Sequence, residues 1–62
     1  MKNFVRERRR QLGYTQKELS LLSGVPQSSI SSIESGRKPY VDVAILLAWA
    51  LDAPVDELFI VT

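Results

Sequence analysis

A chain of 62 residues with 45% hydrophobic side chains is long enough for one folded domain, so we expect a single domain over residues 1–62. It contains no cysteine and no histidine, which excludes a disulfide framework, a thiolate metal site and the commonest catalytic base. The longest apolar run, Val43–Leu51, is far shorter than the roughly 20 residues of a membrane span, and the basic N-terminus lacks the apolar stretch of a signal peptide. We therefore expect a cytoplasmic protein with no membrane segment, metal ion or cofactor.

Charge is distributed unevenly, although the formal net charge is only +1. Residues 1–17 hold six cationic side chains and one carboxylate, whereas residues 39–62 hold four carboxylates and no cation. A basic region attracts nucleic-acid phosphates through counterion release. A charged helix that only keeps a protein soluble has the same composition. Charge alone therefore leaves both interpretations open.

The first predicted helix runs from residue 3 or 4 to residue 12, with Asn3 as its cap and Gly13 as its stop. Val5, Arg9 and Leu12 share one face at helical spacing, and we expect that face to be buried. A charge on a buried face requires a partner, so Arg9 is expected to form an ion pair.

The second predicted helix begins with a capping box, in which the Thr15 hydroxyl and the Glu18 carboxylate each satisfy a free backbone amide. Leu19 and Leu22 are its expected buried residues. The pair Ser23-Gly24 ends it, because glycine adopts the positive φ that a tight turn requires.

The third predicted helix begins near Pro26 and ends before Gly36, with two isoleucines as its only large apolar residues. At 100° per residue, Glu34 lies about 70° from the buried centre, which favours pairing with Arg9 over a catalytic role. The direction opposite the isoleucines is shared by four serines, Ser28, Ser31, Ser32 and Ser35.

The fourth predicted helix runs from Val41 or Asp42 to Leu51, and we expect Asp52 to end it in the left-handed conformation. A short fifth helix opens at Pro54, with two acidic residues in its first turn, where carboxylates favour the helix dipole. Residues 59–62 are β-prone, which favours a short C-terminal strand.

The fourth helix is apolar on every side from residue 43 to residue 51, more than the interior of so small a domain needs. Either the C-terminal tail or a second subunit must cover the face opposite the core, and we favour a second subunit. The predicted dimer interface consists of Leu46, Trp49, Phe59, Ile60 and Val61.

The order and spacing of these signals resemble the phage repressor and Cro family of helix-turn-helix regulators, also called XRE-like. The resemblance covers nearly the whole chain. The matching residues are Arg9, Leu12-Gly13-Tyr14-Thr15-Gln16, Glu18-Leu19, Ser23-Gly24-Val25, Ser29-Ile30, Ile33-Glu34, Gly36-Arg37, Pro39, Leu47-Ala48, Ala50-Leu51 and Asp56-Glu57-Leu58-Phe59.

The resemblance implies roles for individual side chains. Gln27, Ser28, Ser31 and Ser32 match positions that read bases in the major groove. Arg9 and Glu34 match a buried or half-buried ion pair, and Ser20 replaces a usual alanine, which we expect to loosen the contact between the second and third helices. The positions that match phosphate contacts are Thr15, Gln16, Ser29, Ser35, Arg37, Lys38 and Tyr40.

The sequence thus predicts an all-α, five-helix, repressor-like domain in which the second and third helices form a helix-turn-helix. The predicted function is that of a transcriptional repressor, which binds double-stranded DNA at a palindromic operator as a homodimer. The alternative is an antitoxin-like or other protein-interaction module that uses the fourth helix and the C-terminal tail. An enzyme is not expected, because no nucleophile–base pair or phosphate-binding loop is present and the dipole explains the acidic pair Asp56-Glu57.

Overall fold

The computed structural model describes residues 1–61, and that part of the chain folds into five helices and two short strands. The predicted all-α, five-helix class is therefore confirmed. In chain order the elements are β1 (Lys2–Asn3), α1 (Val5–Gln11), α2 (Gln16–Ser23), α3 (Gln27–Glu34), α4 (Val41–Ala50), α5 (Val55–Leu58) and β2 (Phe59–Ile60).

The two strands join the ends of the chain as an antiparallel pair. Lys2 lies opposite Ile60, and Asn3 lies opposite Phe59. The predicted C-terminal strand over residues 59–62 is confirmed for β2 only: it does not extend to Val61, and Thr62 lies outside the described residues. Its partner β1 was not predicted. Two residues are too few to show the alternation of a strand, and they form one only by pairing with the other end of the chain.

Asn3 fastens the start of α1 to α3. Its Oδ1 accepts the Val5 N–H at 3.2 Å, and its Nδ2 donates to the Ile33 carbonyl at 2.9 Å. The prediction of Asn3 as N-cap is wrong by one residue, because Phe4 occupies that position. The asparagine side chain nevertheless satisfies one of the free amides at the start of the helix.

The core lies between α2, α3 and α4 and is closed by α1, α5 and β2. Two leucines predicted to be buried are not. The buried side of α2 passes through Leu19 and Ser23, so Leu22 is turned toward solvent. Leu12 follows the last residue of α1 and is likewise exposed. The buried apolar residues are Val5, Leu19, Val25, Ile30, Ile33, Ala44, Leu47, Ala48, Leu51, Leu58 and Phe59.

The C-terminus of α4 is held from α1. Asp52 has a left-handed φ of +50°, as predicted for the stop of this helix. The Arg8 guanidinium donates to the Leu51 carbonyl at 2.8 Å and to the Asp52 carbonyl at 3.1 Å, and so satisfies acceptors that a helix end leaves free. With ten residues, α4 is the longest helix among residues 1–61, and none there has the length and apolarity of a membrane span.

Candidate nucleic-acid interface

A three-residue turn, residues 24–26, joins α2 to α3. Gly24 has a left-handed φ of +76°, as the sequence predicted from a glycine in this tight turn. The Ser23 hydroxyl accepts the N–H of the buried Val25 at 3.1 Å, and the Ser20 hydroxyl donates to the Val25 carbonyl at 2.6 Å. Ser20 therefore fastens α2 to the turn that precedes α3.

The N-terminus of α2 is built by the predicted capping box. The Glu18 N–H donates to the Thr15 hydroxyl at 3.0 Å, and the Thr15 N–H donates to the Glu18 carboxylate at 2.9 Å. The Thr15 hydroxyl hydrogen has no acceptor among residues 1–61 and is available to a ligand. Gln16, the first residue of α2, is half-buried and points its side-chain amide toward the end of α3.

α3 turns a polar face to solvent, opposite its two buried isoleucines. Ser28 and Ser31 are exposed on this face, and Ser32 is half-buried. Gln27 is exposed at the edge of the face, at the first position of the helix. The Ser32 hydroxyl donates to the Ser28 carbonyl one turn earlier, at 3.0 Å. The face therefore consists of one long amide and several short hydroxyls, which allow another surface to approach the helix backbone closely.

The other positions matched to phosphate contacts lie on α3 and in the loop that follows it. Ser29 is half-buried within α3, and Ser35 is exposed at its C-terminus. Arg37, Lys38 and Tyr40 are exposed in the loop between α3 and α4, and their side chains form no hydrogen bond within residues 1–61. Two free cations thus lie directly beyond the polar face of α3.

Glu34, the last residue of α3, is surrounded by donors from α1 and α2. Arg9 binds it through both nitrogens of its fork, Nε to Oε2 at 2.8 Å and Nη2 to Oε1 at 3.1 Å. Oε1 also accepts from Arg6 Nε at 3.3 Å and from Gln16 Nε2 at 3.2 Å. The third Arg9 nitrogen donates to the Tyr14 carbonyl at 2.9 Å, which fixes the loop between α1 and α2.

The Glu34 side chain is 0% exposed, so its charge exists only because its neighbours stabilise it. Burial by itself would raise the pKa of the Glu34 carboxyl, but hydrogen bonds from Arg9, Gln16 and Arg6 and the charge of Arg9 outweigh it. The net result is a pKa below the ordinary value of 4.5. The carboxylate is therefore ionised at neutral pH, and with Arg6 and Arg9 it forms a cluster with one excess positive charge.

Comparison with known protein families matches residues 5–58 to the helix-turn-helix family of XRE type. The chain belongs to the XRE-type helix-turn-helix family. Proteins of this family are DNA-binding transcriptional regulators, so this XRE-type protein is a DNA-binding regulator. A search of curated proteins for similar sequences gave no match.

The XRE-type protein also exposes an apolar face on α4. Val41, Ile45 and Trp49 follow one another at four-residue spacing, Leu46 lies beside them, and Trp49 is 74% exposed. We call these four residues the α4 patch. Among the described residues, no part of the C-terminal tail buries it.

The predicted dimer residues of the C-terminal tail lie in different environments. Phe59 is only 8% exposed and belongs to the protein's own core, so it is not available to a second subunit. Ile60 is half-buried in β2, and Val61 is exposed. The surface that remains for contact therefore comprises the α4 patch and the end of the tail.

Sequence reasoning missed two contributors to these surfaces. Arg6 joins the Glu34 cluster, and the spacing of Arg6 and Arg9, three residues apart on one helix, was the available signal. Val41 and Ile45 also belong to the α4 patch, and their four-residue spacing from Trp49 was the available signal. Within residues 1–61, no acidic side chains are grouped closely enough to hold a metal ion.

Proposed function

We propose that the chain is a transcriptional repressor that binds duplex DNA as a homodimer, with α3 in the major groove of a palindromic operator. The observation that carries this proposal is the exposed polar face of α3, formed by Gln27, Ser28, Ser31 and Ser32, on a helix-turn-helix of the matched family. In such motifs the N-terminal side chains of the second helix contact base edges. Because the proposed ligand is duplex DNA, we also propose a cytoplasmic location.

Gln27 is the proposed main base reader. A glutamine amide donates and accepts at once, so it recognises adenine through two hydrogen bonds, whereas a serine makes single or water-mediated bonds. Gln27 is exposed at the first position of α3, where the helix would enter the groove. The serines then let the helix backbone approach the base pairs and contribute shorter contacts.

The phosphate contacts supply affinity without sequence information. We assign them to the α2 N-terminus, through Thr15 and Gln16, and to α3 and its following loop. The loop contributes the two free cations, Arg37 and Lys38, whose side chains have no partner among residues 1–61. The remaining proposed contacts are Ser29, Ser35 and Tyr40.

Substitutions of Gln27 and Lys38 test whether base recognition and phosphate contacts are made by different residues. Gln27→Ala should weaken binding to the preferred duplex by about 1–3 kcal/mol per contact and leave binding to random duplex unchanged. Lys38→Ala should weaken both equally and lower the slope of log affinity against log salt by about one unit per half-site. Fluorescence anisotropy with both duplexes over a range of salt measures both quantities. If Gln27→Ala still distinguishes the preferred duplex from the random one while Ser28→Ala does not, Gln27 is not the main base reader.

The homodimer is proposed from the α4 patch. An open groove of about 450 Å³ lies beside Trp49, between α4 and the start of α5, and it is lined by Ile45, Ala53 and Val55 among others. The Trp49 indole projects into solvent and forms one wall of this groove, whose lining also includes the polar Asp52. In a twofold dimer the same surface meets itself, so the Trp49 of each subunit would enter the groove of the other.

The oligomeric state tests the dimer. Light scattering at micromolar concentration should give twice the 7.0 kDa chain mass for the natural protein, and the chain mass for Trp49→Lys. Leu21→Lys is the matched control, because Leu21 is 78% exposed on α2 and its replacement adds the same charge. A monomeric natural protein at every concentration, or dissociation by both substitutions alike, would contradict this interface.

A protein-interaction module is the second candidate, because the α4 patch would also suit an apolar partner. The two functions differ in their dependence on salt. Release of counterions from DNA makes log affinity fall linearly with log salt, whereas an apolar protein contact shows no such slope. Duplex binding without a salt slope, or no duplex binding, would favour the interaction module.

A further inference from the structure

Arg6 is the one cationic side chain of the Glu34 cluster that reaches solvent. Its side chain is 46% exposed, whereas that of Arg9 is 11% exposed. Arg6 uses Nε to bind Glu34, and its two terminal nitrogens have no hydrogen-bond partner within residues 1–61. These nitrogens carry donors that a surface ligand is able to use.

Arg6 and Gln16 are held side by side by a shared acceptor. Arg6 Nε and Gln16 Nε2 both donate to Oε1 of Glu34, at 3.3 Å and 3.2 Å, so the two side chains are neighbours although they come from different helices. The amide nitrogen of Gln16 has two hydrogens, and one of them remains free. The pair thus carries free donors from two helices, and one buried carboxylate oxygen binds both side chains.

We propose that Arg6 and Gln16 form one phosphate-binding unit for the DNA backbone and that Glu34 is the residue that positions them. The inference deepens the proposed DNA-binding function and rests on it. A guanidinium whose geometry is fixed in advance binds a phosphate through parallel hydrogen bonds and loses little side-chain freedom on binding. Glu34 brings a negative charge near the phosphate, but Arg6 and Arg9 together outweigh it.

The first test compares Arg6→Met with Lys2→Met. Both remove one positive charge, but Lys2 lies over the Phe4 ring and has no bond to Glu34. Arg6→Met should weaken binding to preferred and random duplexes alike, on the order of tenfold, and lower the salt slope by about one unit per half-site. Lys2→Met should leave the slope unchanged. Arg6→Lys should keep the salt slope of the natural protein, because lysine carries the same charge.

The second test separates positioning from simple charge. If Glu34 only repelled phosphate, Glu34→Gln would strengthen DNA binding. We expect weaker binding instead, together with a smaller effect of Arg6→Met in the Glu34→Gln background. Circular dichroism shows whether each variant is folded. If Glu34→Gln does not fold, Glu34→Asp decides, because it keeps the charge but draws the carboxylate away from Arg6 and Gln16. Weaker duplex binding by Glu34→Asp would support the positioning role, and unchanged binding would contradict it.

The possible failures are distinguishable. No duplex binding by the natural protein would overturn the proposed function and this inference together. Duplex binding by the natural protein, with equal salt slopes for Arg6→Met and Lys2→Met, would overturn only the assignment of Arg6. Stronger binding by folded Glu34→Gln would overturn the positioning role of Glu34.

Discussion

Replacement of Glu34 by alanine should destabilise the protein more than any change to its exposed carboxylates. The substitution removes the acceptor of four hydrogen bonds and leaves Arg9, whose side chain is 11% exposed, without its counter-charge. Removing one partner of a buried pair lowers stability by about 3–5 kcal/mol. At about 0.05–0.15 kcal/mol per residue, a chain of this length has a total stability of only about 3–9 kcal/mol.

Thermal unfolding followed by circular dichroism measures this effect. In a domain of this size each kcal/mol shifts the Tm by about 4–8 °C, so Glu34→Ala should lower the Tm by at least about 12 °C or leave the chain unfolded at room temperature. Glu57→Ala is the matched control, because this exposed carboxylate in the first turn of α5 should matter by no more than about 0.5 kcal/mol. Small and equal shifts for the two variants would refute the reasoning.

Two further predictions concern stability. The low pKa of Glu34 means that its contribution is complete above the ordinary value of 4.5 and is lost as the pH falls through the folded value. Urea unfolding at successively lower pH, starting above the ordinary value of 4.5, should therefore show a steeper loss of stability for the natural protein than for Glu34→Gln, and parallel profiles would contradict the assignment. Asp52→Gly should raise stability by about 0.5–1 kcal/mol, because the left-handed φ of +50° favours glycine, whereas Asp52→Ala should not. A lower Tm for Asp52→Gly would show that the aspartate side chain makes a stabilising contact there.

Local signals predicted where most helices begin and end. The capping pair Thr15 and Glu18, the positive φ of Gly24 and the left-handed Asp52 each act within a few residues, so they are readable from the sequence. The pairing of β1 with β2 is not readable in this way, because it joins residues at opposite ends of the chain. The exposure of Leu22 follows from the direction of the buried side of α2, which passes through Leu19 and Ser23, and helical periodicity alone does not fix that direction.

The candidate interface was predictable to a similar extent. The period of α3 placed its serines on one face, and the family resemblance supplied the positions matched to DNA contacts. The three-helix environment of Glu34 required the fold, because Arg6 and Gln16 meet at one oxygen only when α1 and α2 are packed against the end of α3. Likewise, β-propensity placed Phe59 in a strand but did not show that its side chain faces the core.

Selection of bound sequences from a pool of random duplexes tests the central claim most directly. The proposed homodimer should enrich a twofold-symmetric site whose half-sites are about 10–10.5 base pairs apart, or a multiple of that, because each α3 must enter the major groove on the same side of the duplex. Within each half-site, the most constrained position should be the one that relaxes when the selection is repeated with Gln27→Ala. Failure to enrich any sequence, or enrichment of a site without twofold symmetry, would contradict binding as a homodimer through α3.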